Sequence, residues 1–440
     1  MRNVFERSAN RNNGNNVAYC NAGGNLNNNN ASNGNYCAPD CVARPDTQGL
    51  PLEIHPATQR KEPPSCLARG EQLGENRASG PRAGGASGLP AIDIEDVIGY
   101  DALMESARKC TGGTIWKGGV SWFWLHADEE VSKLCDELHD GTYRPRPCRE
   151  FEVTHPKRRP ISAIAFRDRV VQRSYNDNVI YPLMSRRWIY DNCACQKGKG
   201  TDFACRRIAC HLERHVKAHG TAGHVLQVDV RGYYAHMLHS VVDRRFAEML
   251  PPWAAEFARE ALTSQYGGDR GYRPGSQMVQ IAGVDYLDPL DHAIKERMGI
   301  RGYVRYMDDL VLVHADEAYL RACLEDITSR LADVGLEPHP TKTHIMRVTD
   351  TVTFLGYDWR VMPDGHLRRL VRPDKVKEQR RHVRGLARRV SSGRMGEPDY
   401  RQALVCMLEH DGKGDSPRLV DRMNDYGETL LCAALRDRSK

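Results

Sequence analysis

From about Ala91 onward, apolar positions recur along the chain with two periods. In "DIEDVIGYDALMESARKC" and "ADEEVSKLCDELHDG" they fall at the spacing of one helix face, and Gly141 closes the second segment. "HVLQVDV" is a short apolar strand that runs into Asp229, and "AHMLHSVVDRRFAEML" after it reads as a helix. "YVRYMDDLVLVHA" reads as two strands meeting at Asp308 and Asp309. In "EAYLRACLEDITSRLADVG", Leu320, Leu324, Ile327, Leu331 and Val334 share one face, and Gly335 supplies the stop. "TVTFLGYDWRV" followed by "MPDGH" reads as strand and turn, because Pro-Asp-Gly provides the backbone angles a turn needs. Strands and helices alternate without the regular repeat of a doubly wound fold, which predicts an α+β architecture with an antiparallel sheet and packed helices.

Residues 1–45 carry neither period. "RSANRNNGNNVAYCNAGGNLNNNNASNGNY" is dominated by Asn and Gly and cannot bury enough apolar surface to fold alone. Residues 46–90, with "GLPLEIHPATQRKEPPSC" and "GPRAGGASGLP", read as a Pro/Gly/Arg-rich linker.

Composition narrows the setting. A length of 440 residues allows about three domains. The net charge of +6 permits a polyanionic partner without requiring one. No window approaches the roughly 20 apolar residues of a membrane span, and "MRNVFERSANRNN" lacks the apolar stretch of a signal peptide, so a cytoplasmic protein without membrane contact is expected. The 14 cysteines are scattered and read as reduced thiols. Cys193, Cys195, Cys205, Cys210, His211 and His215 form the densest thiol and imidazole group, but without a paired CxxC plain thiols are the preferred reading over zinc.

The chemistry concentrates at "YMDD", residues 306–309. Adjacent aspartates repel each other, and a tight turn favours Asn-Gly or Asp-Gly instead. If Asp308 and Asp309 meet Asp229 from a neighbouring strand end, three carboxylates make an oxygen cage suited to Mg²⁺. Two such ions can clamp the attacking and leaving oxygens of a phosphoryl transfer. The bland reading is a charged, exposed hairpin tip with Asp229 an edge residue.

Context decides between them. From about Leu134 to about Arg372 the chain resembles reverse transcriptases. "DGTYRPRPCREFEVTHPKRRPISAIAFRDRVVQ" looks like the family's fingers motifs, "VLQVDVRGYYAHMLHSV" its first palm motif, "YMDD" its third, and "FLGY" at 354–357 the primer-grip turn. The resemblance implies a right-hand RNA-directed DNA polymerase: N-terminal helices and fingers over 91–222, palm over 223–366, and a short basic thumb with C-terminal helices over 367–440. Asp229, Asp308 and Asp309 would be the catalytic carboxylates, holding two Mg²⁺ ions (Mn²⁺ can substitute) with the carbonyl of Val230. Lys157 and Arg159 would grip the dNTP triphosphate, Tyr234 would exclude a ribose 2′-OH, and Lys342 would stand near the leaving pyrophosphate; Tyr233 reads as core. RNA template and DNA or RNA primer would run along basic residues: Arg167 and Arg169 in "RDRVVQR", and Arg380, Arg384 and Arg388 on a helix whose Val376, Val383, Leu386 and Val390 face a core. Solvated basic surface is the alternative for each cluster.

Within the family, "RPGSQMVQIAGVDYLDPLDHAIKE" resembles the diversity-generating retroelement type, particularly in "YLDPLDHAIKE". Pro274 stands where most reverse transcriptases carry Gln, Gly275 completes that nucleotide-binding turn, and Ser276 and Val279 depart from the subtype pattern while Gln280 keeps it. The short remainder after the basic helix leaves no room for a ribonuclease H domain. Asn codons begin with two adenines, so the Asn-rich leader looks like a translated template repeat of such an element, against the plain alternative of a polar tail. The subtype implies cDNA synthesis error-prone at template adenines and a small basic accessory protein. Two other readings stay open: a retroelement or defence reverse transcriptase without adenine bias, and a non-catalytic RNA-binding scaffold.

Overall fold

The structure is a computed structural model that describes residues 92–153 and 158–438. The readings on the Asn-rich leader, the linker and Lys157 fall outside the described residues.

The chain enters through the short helix Glu95–Ile98, followed by α1 (Tyr100–Thr111), α2 (Gly118–Leu125) and α3 (Ala127–His139). "DIEDVIGYDALMESARKC" is thus two helices, because Gly99 takes an extended conformation (ψ 155°) between them. A ribbon of β1 (Arg149–Val153) and β2 (Arg159–Ala163) leads into α4 (Phe166–Tyr175), and α5 (Thr201–His219) precedes the central sheet.

That sheet has the order β4-β5-β3-β6, with β3 His224–Asp229, β4 Gly302–Tyr306, β5 Asp309–His314 and β6 His344–Arg347, all pairs antiparallel. Between β3 and β4 run α6 (His239–Met249), α7 (Pro252–Gln265) and α8 (Gln277–Tyr286); α9 (Glu317–Asp333) follows β5. Strand β5 is buried along nearly its whole length, since α5 and α9 both pack on the sheet. Its sequence "DLVLVH" accordingly reads as a continuous apolar run rather than an alternation.

A second sheet of β7 (Val352–Phe354), β8 (Tyr357–Val361) and β9 (Leu367–Val371) follows. "TVTFLGYDWRV" is two strands rather than one, because Leu355 and Gly356 both take positive φ (51° and 86°) and close a hairpin inside it. The Pro-Asp-Gly turn closes the next hairpin, so a boundary at 366 falls inside this sheet.

Helices α10 (Pro373–Ser391), α11 (Glu397–Gly412) and α12 (Pro417–Arg438) pack on one another around their own core, which includes Val383, Leu386, Val390, Tyr400 and Leu431. Arg380, Arg384 and Arg388 lie on the opposite, exposed face of α10 at i, i+4 and i+8. Among the described residues no helix is long and apolar enough to cross a membrane. The architecture mixes helices with antiparallel sheets, as the periodicities require.

Candidate active site

Sheet register brings the aspartates together. Asp229 at the end of β3 pairs with Asp309 at the start of β5, and the amide of Val230 donates to the carbonyl of Asp308 at 3.1 Å. Strands β4 and β5 pair Tyr306 with Asp309, leaving Met307 and Asp308 as a two-residue loop. Met307 takes φ 55°, a left-handed conformation that a non-glycine residue adopts at a cost of about 1–3 kcal/mol. Surrounding structure must therefore hold the loop.

The holder is Arg305. Its guanidinium is fully buried, donates to the carbonyl of Met307 at 3.0 Å and of Val284 at 2.8 Å, and forks onto both oxygens of Asp291 at 2.8 and 2.7 Å. The Tyr303 hydroxyl adds a bond to Asp291 at 2.6 Å. Asp291 belongs to "YLDPLDHAIKE", and the aspartates in and just before that segment are also structural: Asp285 accepts from Trp188 and Arg245, and Asp288 from Arg245. Burial, then the negative charges of Asp285 and Asp291, push the Asp288 carboxyl up to about 6. Sequence reasoning used this segment as a signature and missed its role. An arginine inside the otherwise apolar β4 was the available signal, since a charge there requires a buried partner.

The carboxylates strain against one another. Asp309 is 8 % exposed, and burial followed by the charges of Asp308 and Asp229 raises its pKa well above the usual range. Burial and the Asp229 charge push Asp308 up to about 6. Lys342 partly relieves them: extending the β3–β6 pairing of Gln227 with His344 by two residues sets Lys342 opposite Asp229, whose two oxygens its ammonium meets at 3.0 and 2.8 Å.

This donor set fits hard divalent cations: three carboxylates, oxygen only, with more negative charge than Lys342 neutralises. The fit is one of chemistry and placement. Among the described residues no three His, Cys, Asp or Glu side chains already converge on one point, and the Lys342 ammonium pairs with Asp229. Val230 follows Asp229 directly, with its side chain buried.

A cavity of about 600 Å³ opens beside Asp308, lined among others by Arg159, Gly232, Tyr233, Tyr234, Arg270 and Pro274. Burial lowers the pKa of Arg159 and the charge of Asp308 pulls it back up, which places this cation in reach of the aspartate field. The Tyr234 ring lies so close to α8 that a Cβ on Gly283 would come within 2.8 Å of its hydroxyl, and that hydroxyl sits 4.0 Å from the Met307 sulfur. Tyr233 is 3 % exposed and bonds the Gly283 carbonyl.

Other expected site residues lie elsewhere. Gly275 packs backbone to backbone on the ribbon: at φ 147° a Cβ there would stand 2.0 Å from the Ser162 carbonyl oxygen, and it is Pro274 that lines the cavity. Ser276 caps α8, its hydroxyl accepting from the Met278 amide and donating to Gln172. Arg167 is turned inward onto Glu137 and Asp168, with 14 % of its side chain exposed, so it meets carboxylates rather than a phosphate. Arg169 is half-buried over the Phe166 ring, while Arg380 and Arg384 both meet Tyr426 on the exposed face of α10. In the thiol and imidazole group, His211 pairs with Asp191 at 3.2 Å and His215 bonds the Ala222 carbonyl at 2.6 Å; no cysteine among the described residues forms a disulfide.

Comparison with known proteins bears on this geometry. No curated protein sequence matches the chain significantly. Among solved structures, telomerase from Candida albicans in complex with a TWJ fragment of telomeric RNA shares 13% identity at a TM-score of 0.43, over 67% of this chain and 55% of that one. Apo telomerase from Candida tropicalis, truncated from the C-terminal domain, shares 10% identity at a TM-score of 0.39, over 51% of this chain and 55% of that one. The chain thus spans about half the length of the telomerases it matches. Residues 153–359 match the sequence model of the family described as reverse transcriptase (RNA-dependent DNA polymerase). That span contains the three aspartates, Arg305 and most of the cavity wall, so the part of the chain similar to reverse transcriptases is the part that builds the site.

Proposed function

We propose that the protein copies RNA into DNA in a right-hand polymerase, with the β1–β2 ribbon in the fingers, the central sheet as palm and α10–α12 as a short thumb. The observation that supports this best is the β3–β5 register, which sets Asp229 against Asp309 with Asp308 at the adjoining tip, beside a nucleotide-sized cavity. Asp229, Asp308, Asp309 and the Val230 carbonyl would hold two Mg²⁺ ions, or Mn²⁺ in their place, which when bound lower the pKa of the primer hydroxyl and neutralise the triphosphate. The primer 3′-hydroxyl gives its proton to water as its oxygen bonds to the α-phosphorus of the dNTP, the bond from that phosphorus to the oxygen bridging to the β-phosphorus breaks, and pyrophosphate leaves.

The chain's own residues divide the remaining work. Arg159, together with Lys157, grips the triphosphate. Lys342, with more than half of its side chain exposed, can leave Asp229 and give the departing pyrophosphate its proton. Arg380, Arg384 and Arg388 meet the phosphates of the template-primer duplex along α10. Tyr234, pinned between Gly283 and Met307, rejects a ribose 2′-OH by collision. Tyr234→Ala should therefore raise kcat/KM for ribonucleotides relative to deoxynucleotides by about tenfold or more, read by single-nucleotide extension; an unchanged ratio removes Tyr234 from this role.

The favoured setting is a diversity-generating retroelement, supported by "YLDPLDHAIKE" and by the Asn-rich leader as an encoded template repeat. A small basic accessory protein would accompany the polymerase. Purified protein extending a primer on a defined RNA should give cDNA whose errors concentrate opposite adenines. Errors spread evenly over the four bases would favour a retroelement polymerase of another kind; no extension at all would leave an RNA-binding scaffold.

A further inference from the structure

One segment is unused by the site described above. "TIWKGGVSWFWLHA" spans the loop before α2 and the helix itself. Val120 and Phe123 anchor it, Phe123 meeting Phe166 edge-on at 4.9 Å. Its outer side is apolar and open: Trp116 is 56 % exposed, Trp122 53 % and Leu125 78 %. A monomeric protein seldom leaves two indoles and a leucine in water so close together along the chain without a partner.

Charge selects the class of partner. The Lys117 ammonium lies 5.4 Å from the Trp116 ring, and Trp122 stacks with His126 at 4.6 Å. Burial and then the positive charges of Arg169 and Arg149 hold the Lys117 pKa down, so three cations share this neighbourhood. Aromatic faces interleaved with cations are the recognition chemistry of unpaired nucleic acid, where each base stacks and each phosphate finds a positive charge.

Position agrees. Successive side chains of a strand point to opposite faces. On β1, Glu150 lines the nucleotide cavity, while its neighbour Arg149 acts on Lys117. Arg149, next to the cavity-lining Glu150, is thus within reach of the aromatic segment's Lys117. We propose that Trp116 and Trp122, with Lys117, Arg149 and Arg169, form a stacking platform for the unpaired template RNA ahead of the copying site. The eight residues of α2 rise about 12 Å, the reach of a few stacked nucleotides. This rests on the polymerase reading, and its test separates the two.

Full-length protein would be titrated against fluorescein-labelled RNA templates carrying the same DNA primer, one with a 5′ overhang of about 15 nucleotides and one of about three. Wild type should prefer the long overhang. The Trp116→Ala/Trp122→Ala variant should lose on the order of tenfold or more in affinity for the long template and nothing for the short one, and still extend the primer on the short one. Trp116→Phe/Trp122→Phe, which keeps the aromatic faces, should retain most of the preference. Equal wild-type affinity for both templates, an alanine variant that binds the long template as wild type does, or a loss equal on both would each overturn the platform. If wild type extends neither primer, the polymerase reading fails instead. A change in self-association without change in RNA affinity would assign the patch to a protein contact and overturn it likewise.

Discussion

Asp308→Asn should abolish primer extension with Mg²⁺ while raising the thermal stability of the metal-free protein. The two halves have one cause. Asn keeps the shape of Asp but cannot supply the anionic oxygen a hard cation needs, and losing several kcal/mol of transition-state charge stabilisation lowers kcat by roughly three decades or more. The same charge is a burden to the fold: burial and the nearby Asp229 push Asp308 up to about 6, and Asp308 in turn raises Asp309. A carboxyl whose folded pKa exceeds its unfolded value near 3.9 costs nothing well below that value; the cost of its ionisation builds up between about 3.9 and 6 and is constant above. Melting curves of wild type and variant should therefore coincide near pH 4, separate between about pH 4 and 6 with the variant higher, and stay a constant distance apart above that. Adding Mg²⁺ should raise the wild-type Tm through binding to the folded state and move the variant little. Substantial extension by Asp308→Asn, or a variant that melts lower at neutral pH, would detach Asp308 from this role.

Much of this site was legible because its parts lie at element ends. Strand periodicity alone ends β3 at Asp229 and joins β4 to β5 at Asp308 and Asp309, and an antiparallel pairing then has to bring them close. The apolar face of α10 was likewise visible in Val383, Leu386 and Val390. What was hidden depends on contacts between distant residues. Nothing local in "RDRVVQR" shows that Arg167 meets Glu137, thirty residues earlier, nor does Pro-Gly at 274–275 reveal that it braces β2. The two hairpin turns with non-glycine residues at positive φ, Met307 and Leu355, break local turn preference, so tertiary packing must impose them.

Asp291→Ala should be the most destabilising single change near the site, and its rescue should fail to restore activity. The substitution strands the fully buried Arg305 guanidinium without its bidentate partner and removes the acceptor of the Tyr303 hydroxyl. Breaking a buried pair on one side costs about 3–5 kcal/mol, which lowers Tm by roughly 10 °C in a chain of this size. Replacing both members, as in Asp291→Leu/Arg305→Met, leaves no uncompensated charge and should recover most of that stability. It cannot recover the bond from Arg305 to the Met307 carbonyl, which holds a left-handed loop that Met does not favour by itself. Asp308 then loses its fixed position although it remains in the chain, and primer extension should stay depressed by about tenfold or more, since misplacing a reacting group by an ångström costs on that order. Differential scanning calorimetry together with kcat on the same preparations decides the matter. A double variant that regains both stability and rate would show that the Arg305–Asp291 pair holds the fold alone; one that regains stability without rate assigns it the hairpin geometry on which the three aspartates depend.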